Sequence, residues 1–365
     1  MFIPISQLEI YNYFNMKNIL YFVLFCINTA LFAQFPPVTL PDVSAEATVS
    51  QKLGLSDISV HYHRPSVRGR KVWGELVPFA TEKNQITWRA GADENTIITF
   101  SHDVKIEGKS LPAGKYGFHA LVTPTEWTLI FSVNTSSWGS FFYKEAEDAL
   151  RIKVKPTEIM HQELLAYEFT NQMQNSIDIA LKWEKVQVAF KVEINIHEVV
   201  LNNIRNELRS TPAFSWVGWH SAALYCLQNN VNMEEGLVWV NQSINRQANF
   251  VNHYTKSQLQ TKKGDVAEGE KTFKKGIEIA NITELHNYGR LLLSENKAKQ
   301  ALEIFLLNAK RNPNQWPVNL GVARGYIGMK DDKNALKFLK IALKEAPNEN
   351  DRTSVETMMK EIEKK

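Results

Sequence analysis

Between Thr87 and Phe100 the sequence reads Thr-Trp-Arg-Ala-Gly-Ala-Asp-Glu-Asn-Thr-Ile-Ile-Thr-Phe, a loop dense in polar groups that feeds an alternating strand. Trp88, Arg89, Asp93, Glu94 and Asn95 crowd around Gly91, a residue free to adopt positive φ where a backbone turns tightly beside a ligand. Upstream lie Arg64, Arg68, Arg70 and Lys71. A guanidinium fork matches a carboxylate or phosphate in a bidentate way, so Arg64, Arg68, Arg70 and Arg89 can form a site for a small anionic ligand. The competing reading is architectural: Arg64 and Arg89 pair with Glu75, Asp93 or Glu94 and hold two loops together. The candidate ligand-binding set is therefore Arg64, Arg68, Trp88, Arg89, Glu94 and Asn95.

Other chemistries are weaker in the spacing. His61 and His63 share a strand face, and His102 and His119 lie on strands that can be neighbours, which makes a nitrogen and oxygen metal site conceivable but not favoured. Asp93 and Glu94 are adjacent, so on a strand they point apart and cannot flank one glycosidic bond. Serine nucleophile elbows, phosphate-binding glycine loops, dinucleotide fingerprints and zinc-protease helices are absent, and no cofactor is implied. Trp73, Trp88, Trp127 and Trp138 can either present a platform for sugar rings or fill a core.

These residues need a scaffold, and the period of the apolar positions supplies one. Ile58, Val60 and Tyr62 alternate with polar neighbours. So do the runs through Thr96–Phe100, Tyr116–Ala120, Trp127–Val133, Leu150–Val154, Leu165–Phe169, Ile177–Trp183 and Val188–Ile194. Short half-buried strands with turn signals and no helical crossover indicate an antiparallel β-sandwich over residues 47–196. The stretch 134–149 reads as a longer excursion with a short helix through Tyr143 to Asp148. At His197 the period becomes helical, and no convincing strand follows. Ala301, Phe305 and Pro313 recur as Ala335, Leu339 and Pro347, each 34 residues on, the period of a tetratricopeptide helix pair. Gly236 and Gly269 continue the small-residue position. Residues 197–365 are thus expected to form a tetratricopeptide-like helical solenoid of roughly four degenerate repeats.

Composition bounds the rest. The chain has 365 residues, 44% hydrophobic and 22% charged, with a net charge of +3 and no run of like charge that would imply nucleic acid. Lys17 and Asn18 precede an apolar run from Ile19 to Ile27, followed by Ala30-Leu31-Phe32-Ala33, the layout of a secretory signal peptide over residues 1–33. Met16 is a candidate true start. No later stretch approaches the ~18 apolar residues of a membrane span. Residues 34–46 form a Pro-rich leader, and the mature protein is expected in the periplasm or secreted. Cleavage after Ala33 leaves Cys226 alone, expected as a small buried hydrophobe.

Four motifs carry a resemblance. His63-Arg64-Pro65-Ser66-Val67-Arg68-Gly69-Arg70, Trp73-Gly74-Glu75-Leu76-Val77-Pro78, Trp88-Arg89-Ala90-Gly91-Ala92-Asp93-Glu94-Asn95-Thr96 and Leu111-Pro112-Ala113-Gly114-Lys115-Tyr116 appear in the order typical of the bacterial domain-of-unknown-function family 2911. The resemblance covers about Ala47 to Ile194 and implies an exported protein without an established activity. The sequence departs from that pattern in the insertion Ala80–Gln85 and in Asp93, where asparagine is common. The expected function is that of an exported, non-catalytic binding or scaffolding protein that holds a protein or peptide on its repeats. The competing expectation is an envelope hydrolase or transferase acting on an anionic or glycan substrate through His61, His63, Arg89 and Glu94.

Overall fold

Alternation sends Ile58, Val60, Tyr62, Ile98, Phe100, Phe118 and Phe131 into one buried core, and the strands that carry them form the first of two antiparallel sheets. The computed structural model describes residues 41–364; the segment read above as a signal peptide and most of the expected Pro-rich leader lie outside the described residues. The chain divides into two compact units at Ile196 and His197. In chain order the strands are β1 (Ala45–Leu53), β2 (Ser56–Arg64), β3 (Thr87–Trp88), β4 (Thr96–Phe100), β5 (Val104–Ile106), β6 (Lys109–Leu111), β7 (Gly114–Leu121), β8 (Trp127–Ser132), β9 (Asp148–Val154), β10 (Thr157–Thr170) and β11 (Ser176–Glu193). The larger sheet runs β1-β2-β4-β7-β8-β9, with β3 pairing β7; the smaller runs β10-β11-β5-β6. Strand β1 starts at Ala45, so the leader ends slightly earlier than its proline content suggests.

Two apparent strands, Ile177–Trp183 and Val188–Ile194, are one strand. Odd-numbered residues face the core before Glu184 and even-numbered ones after Val186, because Glu184 sits at φ 54° and an irregularity there shifts the register with β10. An irregularity of this kind changes which side chains face inward without ending the strand. Trp183 thereby joins Trp73, Trp88 and Trp127 in a cluster whose ring centroids lie 4.9 to 6.0 Å apart. These tryptophans are core, not a platform. The excursion 134–149 contains only one 3-10 turn, Glu145–Glu147, instead of a helix from Tyr143.

The second unit holds ten helices among the described residues and no strand: α1 (Ile196–Glu207), α2 (Trp216–Asn229), α3 (Met233–Arg246), α4 (Phe250–Lys262), α5 (Val266–Ile279), α6 (Ile282–Ser294), α7 (Ala298–Arg311), α8 (Val318–Gly328), α9 (Asp332–Glu345) and α10 (Glu349–Glu363). Helices α2 to α9 pack as four consecutive pairs. The fourth residue of each second helix is small (Gly236, Gly269, Ala301, Ala335), and the eighth is bulky and apolar (Val240, Phe273, Phe305, Leu339). Small residues there let paired helices approach. A Cβ at Gly236 would meet the Cys226 side chain at 2.9 Å. Asparagines begin α4, α6 and α10, each accepting a backbone N–H three residues on. Cys226 is fully buried and burial pushes its thiol up to about 11, as befits a packing residue.

Candidate functional site

The outer face of the larger sheet carries the polar residues singled out by the sequence. Strand β2 presents His61 and His63 there, on the side opposite Val60 and Tyr62. Strands β3 and β4 lie in line along the same edge of β7, so residues 89–95 leave that edge and return to it. The return is tied by Thr96 Oγ1 donating to Ala90 O at 3.1 Å and by Trp88 Nε1 donating to Gly91 O at 3.2 Å. Positive φ falls on Ala90 and Asp93, not on Gly91. Gly91 is needed for space: a Cβ would stand 2.8 Å from Thr96 Oγ1 and 3.2 Å from His63 O.

A second loop, between β8 and β9, lies over this face. Asn95 donates its backbone N–H to Ser137 O at 3.2 Å and its Nδ2 to Asn134 O at 3.1 Å. Gly117 makes room, since a Cβ there would fall far inside van der Waals contact of Asn134 O. Between the loops opens a cleft of about 520 Å³ lined by Asp42, Glu46, His61, His63, Asp93, Glu94, Asn95, Ile97 and Thr135 to Trp138. His61 Nδ1 lies 3.1 Å from Thr48 Oγ1 and 3.5 Å from Glu46, while His63 Nδ1 lies 3.7 Å from Glu94. Four carboxylates and no Lys or Arg line it.

The structure therefore separates the candidate set. Glu94 and Asn95 reach the cleft with His61 and His63. The arginines do not gather into an anion site. Arg64 Nε donates to Leu165 O at 2.9 Å, and Arg70 donates to Val67 O and Ser66 O. Arg68 is exposed, with its backbone N–H on Glu163. Arg89 is half-buried; burial lowers its pKa, Asp93 opposes that shift, and its Nε has no partner. Trp88 belongs to the core. Backbone carbonyls, not the carboxylates Glu75, Asp93 or Glu94, take the guanidiniums of Arg64 and Arg70. The histidines do not converge either. His102 sits past the far end of β4 beside Ser101, and His119 is covered by the β8–β9 loop. Among the described residues no group of three or more His, Cys, Asp or Glu is placed to hold a metal. A larger depression of about 790 Å³ beside β8 and β9 has charges that compensate one another: Lys153 pairs with Glu126 at 2.7 Å.

His119 anchors the covering loop. Its Nδ1 lies 2.9 Å from Ser140 Oγ and its ring 5.3 Å from Tyr143, which donates to Asp148 at 2.8 Å; Arg151 donates to the same carboxylate. Burial lowers the His119 pKa from 6.5 to about 4, against the opposing pull of Asp148. The unfolded chain takes up this proton first. Stability from His119 is thus complete above about pH 6.5 and is lost as the pH falls towards about 4, by up to roughly 3 kcal/mol. His119→Asn is expected to flatten the dependence of the thermal midpoint on pH across that window. An unchanged slope would show that other groups carry the acid sensitivity.

Sequence reasoning overlooked a second cluster, on the first helices of the repeats. Arg290 on α6 and Arg324 on α8 each stand five residues before their helix C-cap. The two helices are neighbours. Burial and the nearby Arg290 charge lower the Arg324 pKa, and no carboxylate among the described residues forms an ion pair with either guanidinium. Arg324 NH1 contacts His286 Nε2 at 3.3 Å; His286 is buried, its Nδ1 has no partner, and burial with both arginines lowers its pKa to about 4. The signal was available: Arg290 and Arg324 are 34 residues apart, one repeat.

An antiparallel β-sandwich with a two-loop outer cleft, followed by stacked helix pairs, defines the class of molecule. Residues 44–192 match the family described as a protein of unknown function, DUF2911. The resemblance carried by the four motifs holds over that stretch. Comparison with curated proteins finds none that matches. Solved structures with some likeness include YrrB, titled a TPR protein with an unusual peptide-binding site, at 13% identity over 44% of this chain and 83% of that one, with a TM-score of 0.27. Others are pilF of Pseudomonas aeruginosa, at 17% identity over 40% and 67% with a TM-score of 0.27, and MamA from Desulfovibrio magneticus RS-1, at 14% over 40% and 92% with a TM-score of 0.25. The helix pairs themselves carry the repeat assignment.

Proposed function

We propose that this chain is an exported binding protein whose helical unit holds an acidic segment of a protein partner. The observation that supports this reading is the Arg290–Arg324 pair. Two like charges held at one repeat position on neighbouring helices, one of them half-buried, are unfavourable until an anion arrives from outside. Stacked helix pairs present their first helices side by side, a surface suited to an extended peptide. Export rests on the basic, apolar and small-residue layout of residues 17–33.

Both parts are testable. An array of acidic peptides, probed with the mature chain, is expected to yield binders whose affinity falls with salt and drops about tenfold or more in Arg290→Glu/Arg324→Glu. Equal capture by wild type and the double variant would sink the peptide reading. Cell fractionation with N-terminal sequencing should find the protein in the envelope or medium beginning at Gln34; an unprocessed cytoplasmic protein would refute export.

A further inference from the structure

The outer-face cleft belongs to the sandwich and the arginine pair to the helical unit, and the chemistry of the cleft is the reverse. Asp42, Glu46, Asp93 and Glu94 line it without any Lys or Arg. Even with His61 and His63 both protonated and with the nearby Arg89 set against Asp93, the four carboxylates leave one negative charge in excess. Two observations go beyond charge. His63 is only 7% exposed, and the nearest carboxylate, Glu94, stands 3.7 Å from its Nδ1, beyond hydrogen-bond reach. Asn95, 2% exposed, uses its Nδ2 on Asn134 while its Oδ1 has no partner. An amide oxygen and carboxylates only accept, so the unpartnered Asn95 Oδ1 and the acidic lining call for a donor.

The remaining wall is aromatic. Trp138 lines the cleft, is 53% exposed and stacks on Phe141, itself 76% exposed, at 5.9 Å and 13°. Phe142, next in sequence, is 67% exposed as well, whereas Trp88, Trp127 and Trp183 are buried in the core. An exposed indole face attracts cations through the ring quadrupole.

We infer that this cleft takes a small organic cation, a diamine or polyamine ammonium, held by Asp93, Glu94 and Glu46 and covered by Trp138. The volume of about 520 Å³ is ample for such a molecule. Phosphates and carboxylic acids are opposed by the four carboxylates. A neutral sugar can stack on Trp138, but it leaves the charge excess uncompensated. A free amine and a lysine side chain offer the same ammonium, and the two sources differ only in what is attached to it.

Calorimetric titration of the full mature chain with putrescine, spermidine and a short lysine-containing peptide, at low salt, tests the assignment. One saturable site is expected for at least one of them, weakened by added salt and by about tenfold in both Trp138→Ala and Glu94→Gln. Both positions are exposed, so unchanged thermal midpoints are expected alongside. Tighter binding of the peptide or of the free amines identifies the source of the ammonium. No saturation by any amine, saturation unaffected by either substitution, or saturable binding of cello- or chito-oligosaccharides instead would overturn it.

Discussion

Gly117→Ala is expected to lower the thermal midpoint of the sandwich and to loosen the loop that covers its outer face. Gly117 lies within β7, paired with Ile97 on one side and Ser132 on the other, so its backbone cannot move aside without breaking two ladders. A Cβ would stand 2.5 Å from Asn95 Nδ2 and closer still to Asn134 O, the two atoms joined by the bond that holds the loop down. Overpacking costs about 1–3 kcal/mol, and stripping the buried Asn95 amide of its one partner costs about 1–3 kcal/mol more. The expected destabilisation is therefore roughly 2–6 kcal/mol, read by calorimetry. Hydrogen exchange should quicken in residues 134–147, ahead of the strands beneath. A midpoint within about a degree of wild type would mean that the loop is held by something other than this contact.

That contact shows where the sequence was readable. The alternation in β2, β4, β7 and β8 put the right side chains inside, because one buried face imposes a period of two on every strand. It failed at Glu184, where one residue in left-handed conformation reverses the phase and makes a continuous strand look like two. The Thr87–Phe100 loop brings Glu94 and Asn95 to the cleft. The charge of the lining was not legible, because residue types do not reveal that Arg64 and Arg70 reach backbone carbonyls while Asp42 and Glu46 gather near the histidines. Charge complementarity is a property of neighbours, and the neighbours here come from β1, β2, β4 and two loops. In the helical unit the 34-residue recurrence of Phe305 and Leu339 announced the repeats, since stacking needs the same bulky residue at the same place. The same count applied to charged residues leads to Arg290 and Arg324.

The largest effect in the helical unit is expected from Phe305→Ala. Phe305 is 1% exposed and fills the space between two pairs. Its ring fits only because Gly289 of α6 and Gly321 of α8 lack side chains: a Cβ on either would come within 2.6 Å of it. His286 packs on the same ring at 5.7 Å, so Phe305 also supports the residue that touches Arg324. Truncating a buried Phe costs about 3–5 kcal/mol, and two facing glycines offer no side chain to fill the hole. Because stacked repeats draw stability from their neighbours, the loss should spread through α6, α7 and α8 before it reaches α2 or α3. Hydrogen exchange should show this as faster opening of those three helices, and the peptide capture proposed for Arg290 and Arg324 should weaken with it. Phe305→Leu, which keeps most of the volume and matches Leu339 one repeat on, is expected to retain much of both. If Phe305→Ala left exchange in α6 and α8 unchanged, the two pairs would not be coupled through this ring, and the arginine pair would have to be positioned by other means.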